Sequence, residues 1–90
     1  MRAARSYIVS GRVQGVGFRY FTQAAAVRAG VRGWVENLPD GRVAITAEGE
    51  AGALERFERD VHGGPAAARV DRVEAREATL DGRYTGFSIR

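Results

Sequence analysis

The sequence predicts an α+β sandwich, one domain spanning residues 1–90 in which strands and two helices alternate. Three observations carry this reading. Tyr7, Val9, Gly11 and Val13 alternate with Ser6, Ile8, Ser10 and Arg12, the two-residue period of a half-buried strand. Two later stretches carry the helical period: an alanine-rich run from Phe18 to Ala29, and a run with Leu54, Phe57 and Val61 three and four apart. Between them lie two strand-like runs joined by Pro39-Asp40-Gly41, a composition typical of tight reversals.

The first strand is expected over Arg5–Val13, with Gln14 to Gly17 interrupting it. The first helix is expected over Phe18–Ala29, with Phe21, Ala24 and Ala25 on one small face suited to close packing and Gly30 as its stop. Gly33–Leu38 and Arg42–Ala47 form a hairpin. In the second helix Leu54, Phe57 and Val61 point inward, Glu55 and Arg59 form an exposed pair, and Gly63 and Pro65 close it. Arg69–Thr79 stays open: Val73 and Ala75 alternate like a strand, whereas Val70, Val73, Glu77 and Leu80 suit a weak helix. Phe87 and Ile89 share one face of a short last strand. If Arg69–Thr79 is a strand, the order is βαββαβ, the ferredoxin-like sandwich with an antiparallel sheet and two helices on one face.

Composition bounds the function. A chain of 90 residues with 44% hydrophobic and 28% charged side chains is an ordinary globular domain, and chains of this size bury roughly 60 to 65% of their unfolded surface. The N-terminal residues hold no apolar stretch of signal-peptide length, and no segment reaches membrane-spanning length; a cytoplasmic protein without a membrane partner is expected. Zero cysteines exclude disulfides and thiolate metal sites. All 14 basic residues are arginines, so there is no lysine to serve as a nucleophile or Schiff base. The net charge of +3 favours anionic ligands without selecting one.

One segment carries chemistry. Gly11-Arg12-Val13-Gln14-Gly15-Val16-Gly17-Phe18-Arg19 sets a glycine-bearing turn between a strand and a helix, where backbone N–H groups can converge on an anion. No Ser, Thr, Asp or Asn stands before the helix to cap it. Arg19 lies in the first helical turn, where the macrodipole is already positive, at a cost of about 0.3 to 1 kcal/mol that a bound anion reverses. No acid occurs from Phe18 to Gly30. The residues alone also permit a plain turn with a solvated arginine. Asn37, on the strand face opposite Trp34, Glu36 and Leu38, is disfavoured in a strand, although local turn chemistry with Asp40 would also account for it. Trp34 is expected in the core. The only histidine, His62, ends the second helix, where a cation is favourable. No metal site, nucleophile elbow or Walker pattern is present.

Gly11 to Arg19 and Gly33 to Gly41 closely resemble the two signature segments of the acylphosphatase family. The resemblance runs along nearly the whole chain, through Glu48-Gly49, Gly64-Pro65 and Gly86-Phe87-Ser88-Ile89. It implies that Arg69–Thr79 is a strand, that the backbone of Gly15, Val16, Gly17 and Phe18 cradles phosphate together with Arg19, and that Asn37 positions water. It further implies hydrolysis of the carboxyl-phosphate bond of an acyl phosphate with no cofactor and no covalent enzyme intermediate. Departures such as Ala44 and the arginine-rich surface lie outside these segments and bear on substrate preference. A monomer acting on a small molecule, with no nucleic acid partner, is expected. An RNA-binding module shares the element order, but Arg42–Ala47 has no aromatic where that module stacks bases. A module that hands over an acyl phosphate, as in the N-terminal domain of hydrogenase-maturation carbamoyltransferases, is the nearer alternative.

Overall fold

In the computed structural model, which describes residues 1–90, the chain forms strand β1 (Arg2–Arg12), helix α1 (Phe18–Ala29), strands β2 (Arg32–Asn37) and β3 (Val43–Glu50), helix α2 (Ala51–Gly63), and strands β4 (Arg69–Ala78) and β5 (Phe87–Ile89). The segment left open by its local pattern is therefore a strand. What decides it is pairing: Val73 and Ala75 lie opposite Val9 and Tyr7 of β1. Long-range pairing also lengthens β1 beyond its alternation, since Arg2, Ala3 and Ala4 pair with Glu50, Gly49 and Glu48.

The strand order is β4-β1-β3-β2-β5. Among the first four strands every hydrogen-bonded pair is antiparallel, as the ferredoxin-like order requires. The expected wholly antiparallel sheet needs one correction: β5 runs parallel to β2, with Gly33, Trp34 and Val35 opposite Phe87, Ser88 and Ile89. The physical reason is the route of the chain. β4 lies at one edge and β5 at the other, so residues 79–86 must pass across the sheet instead of turning back as a hairpin.

Alternation assigns the faces. Tyr7, Val9, Val35, Val43, Ile45 and Ala47 point to the helices and, with Leu54, Phe57 and Val61 of α2, form the core. The Phe57 ring meets those of Tyr7 at 6.0 Å and Phe87 at 5.8 Å, bringing β1 and β5 against α2. The inward stripe of α1 is Phe18, Thr22, Ala25 and Ala26. This is rotated from the expected Phe21, Ala24 and Ala25, because Phe18 itself is buried and sets the phase, leaving Ala24 exposed. Gly30 ends α1 as expected, its N–H and that of Val31 donating to Val27 and Ala26 in a Schellman closure. Glu55 and Arg59 are both exposed but make no ion pair with each other.

Trp34 is not in the core. It lies half-buried on the sheet face away from the helices, with the Arg90 guanidinium 4.5 Å from its ring centre and its Nε1 donating to the Tyr84 hydroxyl at 3.3 Å. Gly33 beside it allows the close approach of β2 to β3: a Cβ there, at φ 148°, would lie 1.9 Å from the Thr46 carbonyl oxygen. The same outer face carries Glu48, 2% exposed. Its carboxylate accepts the N–H groups of Asp81 and, at 2.9 Å, Gly82, which fastens residues 79–86 to the sheet. Replacing Glu48 by alanine strands two N–H groups and removes a buried charge-assisted contact, so Glu48→Ala should lower stability by about 1 to 3 kcal/mol. Denaturant midpoints check this, with faster amide exchange at Asp81 and Gly82 as the local sign. A loss no greater than that of exposed Glu50→Ala would remove Glu48 as the fastening group.

Candidate active site

After Arg12 the chain leaves the sheet, and Val13, 1% exposed, turns into the core. Gly15 and Gly17 then take left-handed conformations with φ 74° and 79°. An added Cβ at either would meet nothing within 4 Å, so glycine is required by the dihedral and not by space; an L side chain there costs about 1–2 kcal/mol. Gly17 is also the N-cap of α1 and supplies no side-chain cap. The first helical bond runs from the Phe21 N–H to the Gly17 carbonyl at 3.0 Å. The N–H groups of Phe18, Arg19 and Tyr20 precede it and have no partner within the helix. No acidic residue stands in that first turn.

The predicted residues converge here. Gly15, Gly17, Phe18, Arg19 and Asn37 line one cavity of about 110 Å³, closed further by Val13 and Tyr20. Val16 alone points elsewhere, its side chain packing on the core, so any part it plays belongs to its backbone. Arg19 pairs with no Asp or Glu side chain; its Nη1 donates to the main-chain oxygen of Arg90 at 2.8 Å. That oxygen is fixed because the Arg90 N–H donates to Val35 at 2.8 Å and its guanidinium stacks on Trp34. Asn37 lies on the helix-facing side of β2, opposite Val43, and its Oδ1 is buried without a hydrogen-bond partner in the protein. An isolated buried acceptor is costly, which singles out Asn37 among residues lining the cavity.

Sequence reasoning gave Gln14 no separate role. Its Nε2 donates to the carbonyls of Leu38 at 2.7 Å and Arg42 at 3.0 Å. Those two residues close the β2–β3 turn, the Leu38 N–H donating to Arg42 at 2.8 Å. Gln14 thus couples the glycine loop to the strand end that carries Asn37. The only hint in the chain was a carboxamide inside a glycine turn, with no sign of where its partners lie.

Nothing comparable exists elsewhere. A second, wider cavity of about 340 Å³ is lined by Arg5, Glu58, Ala75, Arg76 and Glu77, but Arg5 is already bridged to Glu58 at 3.2 Å and Glu77 at 3.8 Å. Burial, aided by the Glu58 carboxylate, raises the Tyr7 hydroxyl far above the ordinary phenol range, so it stays neutral. His62 lies in the last turn of α2, as expected. No group of three His, Cys, Asp or Glu side chains is arranged to hold a metal ion, and no helix is long and apolar enough to cross a membrane.

Comparison with known proteins agrees with this geometry. A family model described as Acylphosphatase matches residues 5–89. An acylphosphatase of Rubrobacter xylanophilus is 55% identical over 82 residues, 91% of this chain and 74% of the relative. One of Nocardioides sp. is 50% identical over 90 residues, 100% of this chain and 90% of the relative. The crystal structure of acylphosphatase from Bacillus subtilis superposes with a TM-score of 0.94 at 44% identity, covering 100% of this chain and 99% of that one. Matched by the family model from residue 5 to residue 89 and in shape over its full length, the chain belongs to the acylphosphatase family.

Proposed function

We propose that this chain hydrolyses the carboxyl-phosphate bond of acyl phosphates, releasing carboxylate and inorganic phosphate. The observation that carries the reading is the buried, unpartnered Asn37 Oδ1 lining the same small cavity as Arg19 and the uncapped start of α1. An anion receptor and a water-orienting acceptor face one volume.

The phosphoryl oxygens take hydrogen bonds from the backbone of Gly15, Val16, Gly17 and Phe18 and from the Arg19 guanidinium. Asn37 accepts a hydrogen bond from water through Oδ1, aiming the water's lone pair at phosphorus. The new bond forms between water oxygen and phosphorus; the bond from phosphorus to the acyl oxygen breaks, and its electron pair leaves on the carboxylate. Neither arginine nor a neutral amide is a general base. The water's proton therefore passes to a phosphoryl oxygen, and no covalent enzyme intermediate forms. A carboxylate is a good leaving group, so positioning and charge stabilisation do most of what phosphoryl transfer needs. No cofactor enters the scheme, and the absence of cysteine supports a cytoplasmic setting.

The first test is phosphate release from benzoyl phosphate by purified protein, with p-nitrophenyl phosphate as control. Release should survive EDTA and should not extend to the phosphomonoester; loss of turnover in EDTA would contradict the metal-free scheme. Arg19→Lys keeps charge but loses the planar fork, and should cost about 10² to 10³ in kcat; near-normal turnover would overturn the assignment.

Asn37→Ala should lower kcat while inhibition by inorganic phosphate persists at wild-type concentrations, because its task is the water. An equal loss of phosphate affinity would reassign Asn37 to anion binding. Gln14→Ala, which frees the loop from the hairpin, should lower kcat/KM by about 10-fold, in keeping with the sensitivity of oriented sites to small displacements. An unchanged kcat/KM would show that the loop holds its shape without that bridge.

A further inference from the structure

Tyr20 has no role in the chemistry above, yet it lines the mouth of the cavity while 69% exposed. Its ring belongs neither to the core cluster nor to any aromatic pair, and its hydroxyl takes part in no hydrogen bond within the protein. The helix period explains the exposure, since Tyr20 lies off the inward stripe of Phe18, Thr22, Ala25 and Ala26. It does not explain why a large ring stands there. Tyr20 and Arg19 are neighbours in the first turn of α1 and line the same cavity.

The cavity holds about 110 Å³, far below the roughly 300 Å³ at which pockets for whole small molecules begin. A phosphoryl group is of the right order; the acyl group must project out. In-line attack fixes its direction, because water comes from Asn37 on β2 and the leaving oxygen departs on the opposite side of phosphorus. Of the two aromatic residues that line the cavity, Phe18 is buried and Tyr20 is exposed, so Tyr20 is the aromatic ring available to a projecting group. Tyrosine offers wide, rigid, amphipathic contact area at small conformational cost.

We propose that Tyr20 is the acyl-group platform of this site, favouring acyl phosphates with an aromatic or bulky apolar acyl part over small ones. The inference rests on the acyl phosphate reading of the cavity. It makes Tyr20 a specificity residue that touches the leaving carboxylate's substituent and leaves the phosphoryl group to the cradle.

Two measurements test it. In kinetics, the ratio of kcat/KM for benzoyl phosphate to that for acetyl phosphate should fall roughly 3- to 10-fold in Tyr20→Ala, the size of an aromatic contact. Tyr20→Phe should keep the wild-type ratio. In calorimetry, which needs no turnover, wild-type protein should bind benzylphosphonate more tightly than methylphosphonate by a similar factor, and Tyr20→Ala should lose the difference. An unchanged kinetic ratio, or wild-type protein that does not prefer the benzyl compound, overturns the proposal. Phosphonate preference abolished by Tyr20→Ala, in a protein that hydrolyses neither acyl phosphate, would instead uphold the platform and remove the hydrolase reading.

Discussion

The two hydrogen bonds from the Gln14 amide to the carbonyls of Leu38 and Arg42 tie the glycine loop to the end of the strand that carries Asn37. The glycine loop is built from residues that supply dihedral freedom and little else, and such a loop does not hold its own shape. Its far end is anchored by Phe18 in the core, and its near end by Val13. Gln14 supplies the third point, and it does so against the turn that ends the Asn37 strand. The backbone of the glycine loop and the Asn37 amide are thereby registered to each other by one side chain.

A second constraint arrives from the other end of the sequence. Because residues 79–86 cross the sheet to reach the edge beside β2, β5 places the main-chain oxygen of Arg90 where Arg19 can donate to it. The crossing segment is fastened by buried Glu48 and by Tyr84 against Trp34. The outer face of the sheet thus bears on the helix-side cavity through a continuous run of contacts: Glu48 to the crossing segment, that segment to β5, and β5 to Arg19. No Asp or Glu side chain pairs with the arginine, so no acidic side chain competes with an anion for its charge.

How much of this could be read in the sequence follows the range of each interaction. Helix α1 was legible in its extent because its glycine stop and alanine run are local signals, but its inward face was not. Burial of Phe18 is set by the left-handed turn before it, and the phase of a weakly amphipathic helix rests on that one residue. β4 could not be settled locally, since its overlapping strand and helix patterns are decided by pairing with Val9 and Tyr7 in β1, far away in sequence. The parallel placement of β5 and the outward position of Trp34 share that cause. At the site, Arg19 and Asn37 stood out because each breaks a local rule, a cation at a positive helix end and an asparagine in a strand. Gln14 breaks none and was passed over.

Those two violations bear on the chemistry. A helix start with no cap, a cation in its first turn and a buried amide oxygen without a partner are each unfavourable in the folded protein. All three fall on one cavity, and in the proposed scheme one ligand class would relieve them together: a phosphoryl oxyanion would take the stranded N–H groups and the arginine charge, and a water molecule the amide oxygen. On that scheme stability given up at these positions would be recovered when the substrate binds, and the recovery would be largest when charge on the phosphoryl oxygens and order in the water are greatest. That condition describes the transition state of hydrolysis better than it describes the bound substrate. A site with no general base and no nucleophile can therefore still be an enzyme, provided the leaving group asks for little, and a carboxylate asks for little.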